Sequence, residues 1–133
     1  MKARRILLAQ FLAAFFLAVL TWIAVWHFLY WRILWFDIPM HALGGVWAGL
    51  CAAWLLARRG QAFSLLWCLA FAFAVGVAWE IFEYSEGIAA PRYLSYPMDT
   101  AKDLVMDLFG AAAGYVLAHR MSTEKKGDGQ KVI

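Results

Sequence analysis

The 133-residue chain is 65% apolar and only 16% charged, whereas a soluble domain carries about 25% charged residues. The length bounds it to one domain, and the composition excludes a water-driven globular core in favour of a small helical bundle in lipid. The net charge of +3 is dispersed over termini and turns, so nucleic-acid binding is not indicated.

A helix that spans a bilayer needs about 20 mostly apolar residues. The windows 6–26, 38–57 and 63–84 meet that requirement, and 103–119 meets it less cleanly. The first window follows Lys2, Arg4 and Arg5, as a signal peptide would. Its apolar run nevertheless exceeds the roughly 7–15 residues of a signal core, and no small-x-small cleavage site precedes a polar segment. It is expected to remain as an anchor.

The connection from His27 to Asp37, HFLYWRILWFD, is aromatic and nearly uncharged. Trp26, Tyr30, Trp31 and Trp35 suit a membrane–water interface, where amphipathic rings settle, and His27 is expected there too. Arg58-Arg59-Gly60-Gln61 reads as a short turn into the third helix. Residues 85–98, with Gly87, Pro91 and Pro97, read as a loop that includes Glu86, and 122–133 as a polar, disordered tail. The expected architecture is therefore an all-α domain over 1–121, with spans at 6–26, 38–57, 63–84 and 99–119. Cys51 and Cys68 fall inside apolar helices, where free cysteine behaves as a small hydrophobe, and receive no function.

Orientation follows from the basic residues. With the N-terminus inside, Lys2, Arg4, Arg5, Arg58, Arg59, Arg120, Lys125, Lys126 and Lys131 are cytoplasmic, against Arg32, Arg92 and Lys102 outside. This asymmetry predicts both termini in the cytoplasm. Gly45-x-x-x-Gly49 and Gly110-x-x-x-Gly114 predict close packing of the second and fourth helices, because such spacing lets backbones approach in lipid.

The acidic residues then converge. Asp37, Glu80, Glu83, Glu86, Asp99, Asp103 and Asp107 all fall at the outer helix ends or in the adjoining loop; only Glu124 and Asp128 are in the tail. Asp37 and His41 share a helix face, as do Asp103 and Asp107, and Glu80 and Glu83 are one turn apart. Asp107 lies roughly 12 Å deeper than Asp99 at 1.5 Å per residue. A short acid at that depth must face the bundle interior and find a partner. Seven carboxylates against Arg32, Arg92 and Lys102 leave excess negative charge in low dielectric. Either some carboxyls hold protons or a divalent cation supplies the missing charge.

Asp37-x-x-x-His41 with following glycines, Trp79-Glu80-x-x-Glu83, and Asp99-Thr100-x-x-Asp103-x-x-x-Asp107-x-x-Gly110-x-x-x-Gly114 occur in that order. Together they resemble the VanZ/YjdF-like group of small bacterial inner-membrane proteins, over roughly residues 36–115. The WExxE and DTxxD elements are similar to the YjdF branch, which usually has more transmembrane helices. The Asp107-to-Gly114 ending is similar to the VanZ branch, which usually has Asn where this chain has Asp107. The resemblance implies a helical membrane fold with a polar site shared by these helices. Through the link of VanZ to glycopeptide resistance, it also implies cell-envelope lipids or peptidoglycan precursors as the setting.

One imidazole among carboxylates suits Zn, Mn, Fe(II) or Mg, so Asp37, His41, Glu80, Glu83, Asp103 and Asp107 are the candidate metal ligands. Glu80 or Glu83 would be spare as general base. Arg92 and Asp99 are candidate substrate contacts, Arg92 either gripping an anionic group or neutralising the acids. His41 could instead be a core histidine bonded to a carbonyl. His119 is expected at an inner helix end, and Trp79 and Tyr84 as interface anchors. No nucleotide or organic cofactor is indicated. The expected partners are the bilayer and a lipid or lipid-linked substrate, with self-association left open. Three functions stay open: a metal-assisted enzyme acting on an envelope lipid, a proton- or ion-translocating protein, and a non-catalytic envelope assembly protein.

Overall fold

A computed structural model describes residues 2–87 and 95–123. They form five helices: α1 (Lys2–Trp26), α2 (Leu29–Arg32), α3 (Asp37–Ala57), α4 (Leu65–Glu86) and α5 (Tyr96–Thr123). There is no strand among the described residues. Helices α1, α3 and α4 are long and apolar enough to cross a membrane. At 28 residues α5 is longer than any of them, but Asp99, Lys102, Asp103 and Asp107 occupy its first turns and lower its hydropathy.

Local chemistry sets the boundaries. The Ser64 hydroxyl accepts the Trp67 backbone N–H at 3.2 Å and caps α4, satisfying one of the free N–H groups at the helix start. Gly87, at φ 68°, ends α4 and returns its N–H to the carbonyls of Glu83 and Tyr84, a left-handed cap that glycine adopts without strain. Helix α5 opens with Pro97 in its first turn, where a missing N–H costs nothing. It therefore starts before Asp99 and takes residues 96–98 out of the expected loop. At its other end α5 runs through Thr123, into the expected tail; the rest of that tail lies outside the described residues.

Helix α3 is the hub. It packs most extensively on α5, and also on α1 and α4, whereas α1 and α4 hardly meet. The α3–α5 pair is parallel and glycine-mediated, as the sequence spacing predicts. A Cβ on Gly45 would run into the backbone carbonyl of Asp107, and one on Gly110 into the carbonyl of Ala42. Further along, Gly49 faces Ala111 and Gly114 faces Val46. Small residues at this crossing are what let the two backbones touch.

Helices α1 and α4 run antiparallel to this pair. The Trp67 indole donates to the Ala52 carbonyl at 3.1 Å, and the Tyr96 hydroxyl donates to the Glu80 carbonyl at 3.2 Å. At the Arg58 end, Ile6, Leu50, Ala53, Cys68 and Ala118 make an apolar core. Large apolar side chains elsewhere point outward, with Phe11, Phe15 and Leu66 more than half exposed. That inside-out distribution suits hydrocarbon as solvent.

The Asp37 end carries exposed aromatics at Trp22, Trp26, Trp31, Trp35, Trp79 and Tyr84, the pattern of an interfacial belt. Tyr30 departs from the expectation that it belongs to this belt. The chain reverses through Phe28 at φ 58° into the short helix α2, which turns the Tyr30 ring inward to line a cavity. Burial there pushes its phenol above the ordinary 10.0, with the Thr21 side chain opposing the shift.

Candidate functional site

The parallel α3–α5 contact brings two acid stripes face to face. On α3, Asp37 and His41 lie one turn apart; His41 Nε2 is 3.5 Å from Asp37 Oδ1 and 3.9 Å from Asp103 Oδ1 of α5. The other ring nitrogen, Nδ1, lies 3.4 Å from Asp107 Oδ1. Thus both edges of one imidazole face carboxylates. His41, Asp103 and Asp107 are buried, whereas Asp37 is half-buried.

Two glycines make room for Asp107. Its Oδ1 lies beside Gly44, and a Cβ on Gly76 of α4 would strike its Oδ2. The carboxylate thus sits where α3, α4 and α5 meet, and each helix contributes backbone or a side chain to its pocket.

From α4, Glu80 is buried and Glu83 half-buried. The Thr100 hydroxyl donates to Glu80 Oε2 at 2.6 Å, and the Trp79 indole donates to Glu83 Oε1 at 2.9 Å. Two overlapping groups have ligand-type atoms within 4.8 Å of one another: Asp37, His41 and Asp103, and His41, Glu80 and Glu83. His41 is common to both. All six residues expected as metal ligands therefore belong to one cluster joined through His41.

The local charge is uneven. Lys102 Nζ lies 2.7 Å from Asp99 Oδ1, 3.4 Å from Asp37 Oδ2 and 3.2 Å from Asp103 Oδ1. Its approach to Asp103 lacks hydrogen-bond geometry, and Asp103 Oδ1 is buried without a hydrogen-bond partner. Glu80 Oε1 is in the same condition. A buried carboxylate oxygen without a donor is expensive; the Lys102 ammonium offsets that cost at Asp103, whereas no ion pair reaches Glu80 among the described residues. The chemistry of the cluster fits a cation held by one nitrogen and several oxygens.

Beside the cluster is a cavity of about 240 Å³ between α1, α3 and α4. Asp37, His41, Glu83 and Asp107 line its polar end, together with Thr21 and Tyr30. Glu80 and Asp103 do not line it.

The remaining expectations divide. Asp99 accepts a hydrogen bond from Lys102 Nζ at 2.7 Å. Arg92 lies outside the described residues. Glu86 is exposed, as are His27 and His119, and none of the three joins the cluster. Trp79 and Tyr84 are exposed, but Trp79 also bonds Glu83 and lines the cavity, beyond the anchoring role expected of it. Thr21 and Tyr96 carried no usable signal, because their roles depend on helix rotation. Thr100 had one, its place beside Asp99 in the repeated-acid stripe.

No curated protein and no solved structure matches the chain. A family model matches residues 2–124, nearly the whole length. The chain belongs to the family described as Predicted membrane protein (DUF2238).

Proposed function

We propose that the chain is a multi-pass protein of the bacterial inner membrane that holds a divalent cation at its outer face and acts there on an envelope lipid or lipid-linked substrate. In this reading α5 is a fourth span, both termini are cytoplasmic, and the Asp37 end of the bundle faces outward. The basic asymmetry supports the orientation, and the resemblance to the VanZ/YjdF-like group supports the envelope setting.

The observation that carries the cation is the buried Glu80 Oε1, which has no hydrogen-bond partner, in a group with His41 and Glu83 whose ligand-type atoms lie within 4.8 Å of one another. Lys102 offsets part of the negative charge at one edge. At the other, Glu80 and Glu83 face the imidazole with no fixed cation joined to them by an ion pair among the described residues. Asp37, His41 and Asp103 would hold the ion, or His41 with Glu80 and Glu83, and Asp107 would orient the imidazole through Nδ1. Zn, Mn, Fe(II) and Mg suit such donors.

When bound, the ion would supply Lewis-acid polarisation of a phosphoryl or carbonyl oxygen, or acidify a water. The chain's own residues do the rest. With the ion on Asp37, His41 and Asp103, Glu83 reaches the cavity and is held by the Trp79 indole, so it is placed to take a proton as general base. Glu80, buried and bonded by the Thr100 hydroxyl, does not line the cavity and is the less accessible of the two. Arg92 would grip an anionic group of the substrate.

Elemental analysis of protein purified without chelator tests the reading. About one or two ions per chain are expected, with loss of the metal in His41→Ala and Asp103→Ala. A metal-free preparation that keeps its fold and its cellular effect would overturn it.

A further inference from the structure

The cavity beside the cluster changes character along its length. Its Asp37 end is polar. Towards the middle of the bundle its walls are Leu17, Trp47, Ala48, Ala72 and Val75, with no ionisable group. The small side chains at 48 and 72 leave the space that larger residues would fill. Because α1 and α4 hardly meet, the cavity opens sideways between two helices whose outer faces are apolar. A second, more open apolar groove continues from it along α1, sharing Leu17, Thr21 and Trp47 and adding Ala14, Trp22 and Val25.

We infer that the cavity receives the first part of a single hydrocarbon chain whose anionic head group reaches the Asp37–His41–Glu83 end. The polarity gradient matches one amphiphile lying along the bundle, head at the aromatic belt and chain towards the bilayer centre. Size limits the occupant. A volume of about 240 Å³ falls below the roughly 300–1,000 Å³ of sites that enclose a whole ligand. It accommodates a head and the start of one chain, and the remainder leaves past Leu17 and Ala14 of α1 into lipid. A lateral opening admits such a molecule directly from the membrane.

The anionic head rests on the divalent-cation reading, since carboxylates alone would repel it. The chain site does not depend on that reading. Val75 and Leu17 line the cavity without belonging to the acidic cluster, and both are only half-buried, so larger side chains fit there without breaking the helix contacts.

The test uses the full chain in phosphatidylcholine vesicles containing a lysophosphatidic acid with a mid-chain diazirine. Labelling is run with Mn²⁺ or with EDTA, and metal content is measured on the same samples. Photolabelling should be saturable by unlabelled lysophosphatidic acid and should map to the cavity-lining residues of α1, α3 and α4. Val75→Phe and Leu17→Phe should each weaken saturable labelling about tenfold while keeping the wild-type metal content. EDTA should reduce labelling by this anionic probe. Non-saturable labelling spread over Phe11, Phe15 and Phe73, and unchanged in both variants, would overturn the chain site. If metal content were full in that case, the cation reading would stand. Saturable labelling that ignores EDTA would overturn the anionic head.

Discussion

Asp107 meets His41 with its side chain and Gly45 with its backbone. The carboxylate Oδ1 lies 3.4 Å from His41 Nδ1, and the carbonyl of the same residue occupies the space a Cβ on Gly45 would need. The contact that holds α3 against α5 is therefore also the contact that assembles the acidic cluster. Packing and site chemistry are coupled at one residue.

Glycine substitutions should separate close approach from mere smallness. Gly45→Ala and Gly110→Ala force a methyl into backbone and are expected to cost about 1–3 kcal/mol, the range for overpacking. Gly44→Ala, whose nearest neighbour is the Asp107 carboxylate at 3.9 Å, should be nearly neutral. Unfolding in detergent, followed by circular dichroism, measures all three. Equal effects at 44 and 45 would refute the proposed crossing.

Thr100 supplies the described side-chain hydrogen bond to Glu80, at 2.6 Å. Thr100→Val keeps the shape but leaves the buried carboxylate without that donor. A loss of about 1–3 kcal/mol is expected, with recovery in Thr100→Ser. The same thermal or denaturant unfolding checks it, and a Ser variant no better than Val would contradict the hydrogen-bond account.

Lys102 is the cation that ion pairs join to Asp37, Asp99 and Asp103. Replacing it by Gln should destabilise the chelator-treated protein by about 1–3 kcal/mol, less than a fully buried pair because Lys102 is partly exposed. Added Mn²⁺ or Zn²⁺ should restore more of the lost stability than it adds to wild type. Melting curves with EDTA and with metal read both effects.

Reporter fusions check the orientation. Fusions at residues 60 and 133 should report a cytoplasmic location, and a fusion near residue 90 an external one. A cytoplasmic report at residue 90 would place the acidic cluster on the other face and remove the envelope-facing site.

Much of this organisation is legible in the sequence. Apolar windows marked α1, α3 and α4, and the four-residue glycine spacing marked the α3–α5 contact. The shared-face spacing of Asp37 with His41, and of Asp103 with Asp107, anticipated their meeting. The start of α5 was less legible, because Pro97 reads equally as a loop residue and as a first-turn residue. The inward turn of Tyr30 was not legible at all. It depends on the left-handed backbone at Phe28, a residue with no glycine-like signature. The cavity was hidden for a related reason: Ala48 and Ala72 reveal an empty space only once helix rotation is known.

The central claim is that this cluster binds a divalent cation through His41. Calorimetric titration of Mn²⁺ or Zn²⁺ into chelator-stripped, folded protein tests it most directly, comparing wild type with His41→Ala and Asp103→Asn. Saturable binding of about one ion per chain, weakened at least roughly tenfold in either variant, is the predicted result. Wild-type protein that stays folded and takes up no ion, or binds it equally well without His41, would contradict the account.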